Sequence, residues 1–381
     1  MVRAVGHAVD ADEIRGRGRS EQYIKCHERS GAGELATPAN RLHKRSKHRL
    51  TKARMMTTLL SWTRLGLKIW GVLLQVTMAT FICVGIYCRS AAAQDPKPAG
   101  GQQEKASAPT DSSQSPRVSI DKSRFNLFNP TPTDAMRPFS TDRPGKTHSS
   151  LTVDAGHFQL EGDFWNYTWD HYTKDRTTIR SYTIANPNFK IGITNWAELD
   201  LFLPIYNSLN VRSRTTGSVA RASGFGDVLV GGKVNFFGND GGDQSFGAIA
   251  FIKLPTAARG LGNNMVEYAL NLPFTTTLPG EFSLTLEPAI GLFRNINKQG
   301  YQGDYQFLIN LNHPIFGETV TAALELALDF PGDHNIGPRH TLDPSLQWLV
   351  TPNLQLDVGV YIGLTKAAPD WNPYVGLSIR F

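Results

Sequence analysis

Segments of about ten residues that alternate apolar and polar side chains recur through the C-terminal part of the chain. In the last of them, Val375, Leu377 and Ile379 alternate with Gly376 and Ser378. Successive side chains of a β-strand point to opposite faces, so one face is apolar and the other is polar or small. A tilted strand needs about ten residues to cross a membrane, whereas soluble strands average about five or six residues. The pattern therefore predicts strands that turn an apolar face to lipid and a polar face to an enclosed interior.

Twelve such segments are predicted between residues 151 and 381, and an even number is typical of bacterial barrels. They lie near 156–170, 179–194, 196–206, 225–237, 244–255, 265–277, 281–293, 302–312, 318–330, 340–350, 353–364 and 371–381. Ten or fourteen strands stay open as alternatives, because Asn186 and Pro187 interrupt the second segment.

The links between these segments alternate in length. Short links are predicted at 194–196, 238–242, 278–280, 316–317 and 351–353, and longer polar links at 207–224, 256–264, 294–301, 331–339 and 365–370. Short turns on one side and longer loops on the other are typical of outer-membrane barrels, with the short side periplasmic. The fold class that follows is all-β: a transmembrane up-and-down antiparallel β-barrel formed by residues 151–381.

The segment before the barrel predicts export. Residues 55–93 have the parts of a signal peptide: basic Arg64 and Lys68, an uncharged run, and a small-residue cleavage site at Ala91 and Ala93. The alternative is a retained membrane-spanning helix, since about 20 uncharged residues are enough to cross a bilayer. Residues 1–54 form a basic, polar leader, which we interpret as the result of a start codon assigned too far upstream.

Charge and cysteine usage change at the predicted cleavage site. Residues 1–93 carry 16 Lys and Arg against 6 Asp and Glu, whereas the rest of the chain is mildly acidic. No basic patch with interleaved aromatic residues follows, so nucleic acid is not an expected partner. All three cysteines, Cys26, Cys83 and Cys88, lie upstream of the site, so the exported chain is expected to have no disulfide.

Two further segments separate the signal peptide from the barrel. Residues 94–117 are rich in Pro, Ser and Gln and have no large apolar side chain, which predicts a disordered linker. Residues 118–150 add several large apolar residues but also four prolines, which favours an extended periplasmic arm or a plug of the barrel.

The polar faces of the predicted strands supply the candidate residues that line the interior. These are Glu198, Asp200, Asp227, Lys233, Lys253, Glu287, Glu325, Asp357 and Arg380, with Glu161, Asp163, Lys190 and Glu267 beside them. Nine acids against four bases favour cations if the interior is open. Small barrels can instead fill their interior with paired charges, and that interpretation stays open.

Catalysis and metal binding are not expected. Six histidines follow the cleavage site, and none of them has a G-x-S-x-G partner. His334, His340 and Asp333 lie in or beside a predicted loop without metal-ligand spacing, and no cofactor is implied. Asp240 and Asp243 are interpreted as turn formers between glycines.

Three stretches carry a resemblance to a known family. They are 137–144 (RPFSTDRP) followed by 156–161 (GHFQLE), 196–201 (WAELDL), and 224–227 (GFGD) leading into 231–233 (GGK). Together they resemble the outer-membrane barrel family of transporters associated with the meta pathway of phenol degradation. The resemblance spans most of residues 135–381 and implies the passage of small hydrophobic or aromatic compounds. The terminal Phe381 also resembles the signal that the barrel-assembly machinery recognises.

We therefore expect a monomeric barrel in the outer membrane of a Gram-negative-type bacterium, surrounded by outer-membrane lipid and passing a small solute. The alternative is a non-conducting structural barrel that anchors a periplasmic partner through its N-terminal tether. A soluble secreted β-sandwich is the third interpretation, in which the same alternation would face a protein core.

Overall fold

The computed structural model describes residues 121–171, 176–295, 300–333 and 336–381. The predicted leader at 1–54, the signal peptide at 55–93 with Ala91 and Ala93, and the linker at 94–117 lie outside these residues. So does His334. No helix in the described ranges has the length and hydropathy needed to cross a membrane.

The described residues form fifteen strand segments, after two short 3₁₀ helices at Lys122–Arg124 and Thr133–Ala135. The segments are β1 (Phe158–Asp170), β2 (Thr177–Thr194), β3 (Ala197–Phe202), β4 (Tyr206–Ser213), β5 (Val219–Gly224), β6 (Leu229–Phe237), β7 (Gln244–Lys253), β8 (Glu267–Asn271), β9 (Phe274–Leu278), β10 (Phe282–Arg294), β11 (Tyr301–Phe316), β12 (Val320–Phe330), β13 (Arg339–Thr351), β14 (Leu354–Gly363) and β15 (Trp371–Arg380).

These segments make one closed antiparallel sheet. Pairing continues around the whole ring, and β1 pairs with β2 on one edge and with β15 on the other. At the seam the backbone N–H of Phe381 donates to the carbonyl of Phe158 over 2.8 Å. Closure leaves the ring without a free edge, as a membrane barrel requires.

Three of the barrel strands are interrupted, so the fifteen segments make twelve passes around the ring. β3 and β4 both pair with β2, while β5 pairs with β4 and β6 pairs with β3. β8 and β9 both lie between β7 and β10. The predicted all-β barrel of twelve antiparallel strands is confirmed.

The predicted long loop at 207–224 is wrong. Most of it is strand, because β4 and β5 form a hairpin whose tip spans only residues 214–218. β4 pairs with the first half of β2, which is 18 residues long and so exceeds the roughly ten residues that a membrane crossing needs. A hairpin that rises beyond the hydrocarbon needs no apolar outer row, so the lipid-facing alternation fades there.

The two faces of the wall differ as the alternation predicts. In β14, Leu356 and Val358 are exposed while Asp357 between them is buried. On the outside, Leu324 and Val358 each expose 48% of their surface, and Leu346 exposes 45%. The interior is filled by polar and charged side chains rather than by an apolar core.

Candidate functional site: the occupied interior of the barrel

Residues 137–154, which we call the inner segment, run through the interior of the barrel. Side chains on nine strand segments lie within hydrogen-bond or ion-pair distance of it: Asp163, Lys190, Glu198, Lys233, Ser245, Glu287, Glu325, Asp343 and Asp357. These strands extend around most of the ring, so a segment that contacts all of them must lie inside it.

Arg137 fixes the inner segment at the rim that carries the short turns. Its backbone N–H donates to the Asp154 carboxylate over 3.1 Å, and its Nη1 donates to the carbonyl of Thr152 over 2.6 Å. Its Nη2 donates to the carbonyl of Asn195 over 2.6 Å, and its Nε to Asp240 over 3.0 Å. Asn195 and Asp240 belong to two neighbouring turns, so Arg137 holds both ends of the inner segment against the rim.

Asp240 therefore does more than form a turn. Besides Arg137 it accepts hydrogen bonds from Lys122 Nζ over 2.8 Å and from Asn195 Nδ2 over 2.6 Å. Partial burial opposes ionisation of Asp240, but the bonds from Lys122 and Asn195 and the charge of Arg137 outweigh it and hold the pKa of this carboxyl below its usual value. The charge of Asp240 is therefore maintained at the rim.

Asp142 joins the inner segment to two buried lysines of the wall. Its carboxylate forms an ion pair with Lys190 and a second one with Lys233, at 2.8 Å. The same lysines reach Glu161 at 2.9 Å and Glu198 at 3.1 Å respectively. Burial alone would raise the pKa of Asp142, but the charges of Lys190 and Lys233 hold it well below its usual value. Asp142 thus completes a network of buried charges.

Arg143 forms the most specific contact of the inner segment. Its Nε and Nη2 donate to the two oxygens of Asp357 over 2.9 and 2.6 Å, and its Nη1 donates to Asp163 over 2.8 Å. A guanidinium that binds a carboxylate with two parallel hydrogen bonds fixes both position and orientation. Gly376 leaves the room for it, because a Cβ at that position would overlap the guanidinium.

Glu325 is held by the backbone of the inner segment. The N–H groups of Lys146 and Thr147 donate to its carboxylate over 3.0 and 2.8 Å, and the Thr147 hydroxyl donates to the same oxygen. Gly145 lets the backbone approach so closely, since a Cβ there would overlap the carboxylate. Lys146 Nζ lies 3.3 Å from the carboxylate of Asp343 on the neighbouring strand. The backbone of the inner segment therefore wraps around the carboxylate of Glu325.

His148 repeats this arrangement on β10, two strands away from Glu325 around the ring. Its backbone N–H donates to Glu287 over 2.6 Å, and its Nδ1 lies 2.8 Å from the second oxygen of the same carboxylate. Asn271 Nδ2 also donates to Glu287, over 2.5 Å. The Glu287 carboxylate thus joins His148 of the inner segment to Asn271 of β8.

Four other residues predicted to line the interior are buried away from the inner segment. Lys253 lies 2.9 Å from Asp227 and 3.0 Å from Glu267. Asp200 is only 2% exposed, and neither of its carboxylate oxygens has a hydrogen-bond partner among the described residues. These side chains are part of the wall and do not bind the inner segment. Its contacts are made instead by Glu198, Lys233, Glu287, Glu325 and Asp357.

Arg380 and Phe381 end the last strand at the same rim. Arg380 Nη1 donates to the carbonyl of Arg137 over 2.9 Å, and its other nitrogens donate to Asn353. Arg380 therefore supports the entry of the inner segment. Phe381 points outward with 67% of its surface exposed.

A cavity of about 230 Å³ remains beside the inner segment. Asp142, Arg143 and Lys146 lie on one side of it. Its other walls include an apolar strip formed by Phe202, Leu229, Phe251 and Leu308. The cavity thus offers both charged groups and an apolar surface within the barrel.

Sequence reasoning missed the residues of the inner segment that make these contacts. Arg137, Asp142 and Arg143 lie inside the motif at 137–144, yet no role was assigned to them. The signal that could have found them is the run of charges from Asp142 to Lys146 in an otherwise Pro-rich arm, opposite a wall with more acids than bases.

A protein-family model described as "Putative MetA-pathway of phenol degradation" matches residues 141–381. Among solved structures, an outer membrane channel from Pseudomonas putida F1 is 12% identical, with a TM-score of 0.45, over 66% of this chain and 99% of that chain. The NanC porin is 8% identical, with a TM-score of 0.38, over 58% of this chain and 98% of its own.

The CymD monoaromatic hydrocarbon channel is also 8% identical, with a TM-score of 0.32, over 59% of this chain and 87% of that one. A search of curated protein sequences gave no match.

Proposed function

Since this chain belongs to the MetA-pathway phenol-degradation family, we propose that it is an outer-membrane channel for small hydrophobic solutes, closed by its own inner segment. The observation that carries the proposal is a closed barrel with an apolar outer wall, a charged inner wall and a segment of the same chain between them. A soluble β-sandwich would bury its apolar face in a core, whereas here that face is outside.

The inner segment closes the channel through ion pairs instead of covalent bonds. Arg143, Asp142 and His148 each bind a different part of the barrel wall, so the interior cannot open fully while all three contacts persist. Part of the excess of acids predicted on the wall then has a structural partner, because Arg143 pairs with both Asp163 and Asp357. Passage of a solute requires the segment to shift or leave.

The apolar strip of the cavity supports the proposal that the solute is hydrophobic. A cavity of about 150 Å³ lined by apolar side chains accommodates benzene, so the cavity of about 230 Å³ is large enough for a small aromatic ring. Phe251 and Leu308 are almost fully buried within the wall and present that surface to the interior. A phenolic solute would add a hydroxyl that the charged side of the cavity can bind.

Single-channel recording in planar bilayers tests the transport function. The full chain is expected to show rare, discrete openings, and deletion of residues 94–150 to give frequent ones, because the inner segment is lost. Added phenol should reduce the current through the openings of the full chain, in which the cavity beside the inner segment is present, while glycerol of similar size should not. Exchange of Phe251 for Ser should weaken the block by phenol and leave the conductance itself unchanged.

The second candidate function, a non-conducting barrel that anchors a periplasmic partner, draws on the same filled interior. It predicts no conductance steps from the full chain, provided that the protein shows heat-modifiable migration on gels, and steps only after residues 94–150 are deleted. Discrete openings of the full chain exclude the structural role, and their absence excludes the channel.

A further inference from the structure

A tight turn stands at the start of the described chain and presents two apolar residues. Asn126 and Asn129 exchange backbone hydrogen bonds of 3.0 Å each, which leaves Leu127 and Phe128 at the tip. The Asn126 side chain also accepts from the backbone N–H of Phe128 over 2.9 Å, and Asn129 Nδ2 donates to the carbonyl of Arg124 over 3.1 Å. The turn is therefore fixed, with Phe128 exposed at its tip.

This turn is attached to the outer edge of the barrel at the short-turn rim. Leu127 N–H donates to the carbonyl of Ile193 over 2.9 Å, and Asn126 forms a bridge with Thr194 at the end of β2. Ile193 belongs to the same alternating row of β2 as Phe189, which is exposed on the outside of the wall. The tip thus continues the outer, apolar surface of the barrel beyond its last strand pair.

The chemistry of the tip is unusual for a turn. Turn tips normally carry Gly, Asn, Asp, Ser or Pro, whereas Phe128 exposes 93% of its surface. The same rim exposes Trp196 by 55% and Phe316 by 74%. Aromatic belts of this kind lie at the membrane interfaces of outer-membrane barrels. Arg124, which lies over the ring of Phe125, adds an exposed positive charge to the same turn.

We propose that the turn formed by Leu127 and Phe128 inserts into the phospholipid leaflet on the short-turn side and anchors the N-terminal arm to the membrane. The proposal rests on the proposed membrane location of the barrel. The partner is the phospholipid surface itself, with the aromatic ring among the upper acyl chains and Arg124 at the phosphates. The arm is thereby held at two places, by lipid at the rim and by ion pairs in the interior.

Site-directed spin labelling tests the anchor in the full chain. Cys26, Cys83 and Cys88 are first exchanged for Ser, and a single nitroxide is then attached to F128C in vesicles of phosphatidylethanolamine and phosphatidylglycerol. Collision with oxygen marks lipid, and collision with a water-soluble nickel chelate marks solvent. V358C on the outer wall is the matched lipid control, and T215C at the exposed tip between β4 and β5 is the matched water control.

We expect oxygen to dominate at V358C, the nickel chelate to dominate at T215C, and the label at F128C to be protected from the chelate at a depth between them. Accessibility of F128C equal to that of T215C, with V358C still in lipid, would overturn the anchor alone. Nickel access at V358C would instead overturn the membrane location. Dipolar broadening at F128C would show a second copy of the chain on this turn and would also overturn the lipid anchor. L127C repeats the measurement if F128C does not fold.

Discussion

Exchange of Arg143 for Ala should open the channel, because Arg143 carries the most specific contact between the inner segment and the wall. The substitution removes two hydrogen bonds to Asp357 and one to Asp163. The side chain of Asp357 is fully buried, and that of Arg143 is 12% exposed. Asp357 would therefore be left without its partner in the closed state, whereas release of the segment would allow water to reach it.

The size of the effect follows from the burial of the pair. Removal of one partner of a buried ion pair costs about 3–5 kcal/mol. Each 1.4 kcal/mol is a factor of about ten in an equilibrium constant, so the ratio of open to closed channels should rise by roughly a hundredfold to a thousandfold or more. The measured quantity is the open fraction in single-channel recordings at constant voltage.

Two controls separate this effect from general destabilisation. Arg221, an exposed arginine on β5, is exchanged for Ala as the matched variant and should leave the open fraction unchanged. The triple variant R143A/D163N/D357N removes the stranded charges and should open less often than R143A alone. If R143A has an open fraction within twofold of the parent, with the inner segment still resistant to protease, the ion pair does not hold the channel closed.

Three further predictions concern the same contacts. Gly376→Ala should raise the open fraction as R143A does, because its Cβ would displace the guanidinium. Gly300→Ala, where the nearest heavy atom lies 3.7 Å from the added Cβ, serves as control. Equal open fractions in the two variants would contradict this geometry. Glu325→Gln should speed proteolysis of the inner segment by about tenfold. A hydrogen bond to a charged group contributes about 1.5–3 kcal/mol, and the amide retains part of it. An unchanged cleavage rate would refute the role of Glu325. Asp142 has a lowered pKa in the closed state, so its contribution to closure is present above its ordinary pKa of about 3.9 and is lost only as the pH falls through the lowered value. The open fraction of the parent should therefore be the same at pH 7 and pH 5, whereas Asp142→Asn should raise it at both; a parent channel that opens between pH 7 and pH 5 would show that this carboxylate is not the controlling group.

The sequence predicted the barrel well where lipid imposes a pattern. In β14 and β15 one face must be apolar and the other polar, so alternation and strand length alone located these strands. The pattern failed for β4 and β5, because polar residues such as Asn210 and Arg212 are acceptable on both faces once a hairpin leaves the hydrocarbon. The lipid environment thus makes the presence of each strand predictable from the sequence. It does not make the strand ends predictable.

The interior was much less predictable. Alternation places Glu325 and Asp357 on the inner face, but it does not say which groups reach them from 178 or more residues away in sequence. Most of the barrel separates Arg143 from Asp357 and Lys146 from Asp343 along the chain, and only its closure brings them together. The sequence left open whether residues 118–150 form an extended arm or a plug, because the answer depends on these long-range pairs. No local pattern contains that information.

A reversible disulfide between the inner segment and the wall tests the central claim most directly. Ser150 Oγ and Ser245 Oγ lie 2.6 Å apart, so cysteines at these positions are close enough to bond without a large backbone shift. The measurement is the single-channel open fraction of R143A/S150C/S245C, in the full chain with Cys26, Cys83 and Cys88 exchanged for Ser, before and after reduction. We predict a closed channel under oxidising conditions and a channel as open as R143A after addition of reductant. An oxidised, cross-linked protein that conducts as frequently as the reduced one would show that the inner segment does not close the barrel.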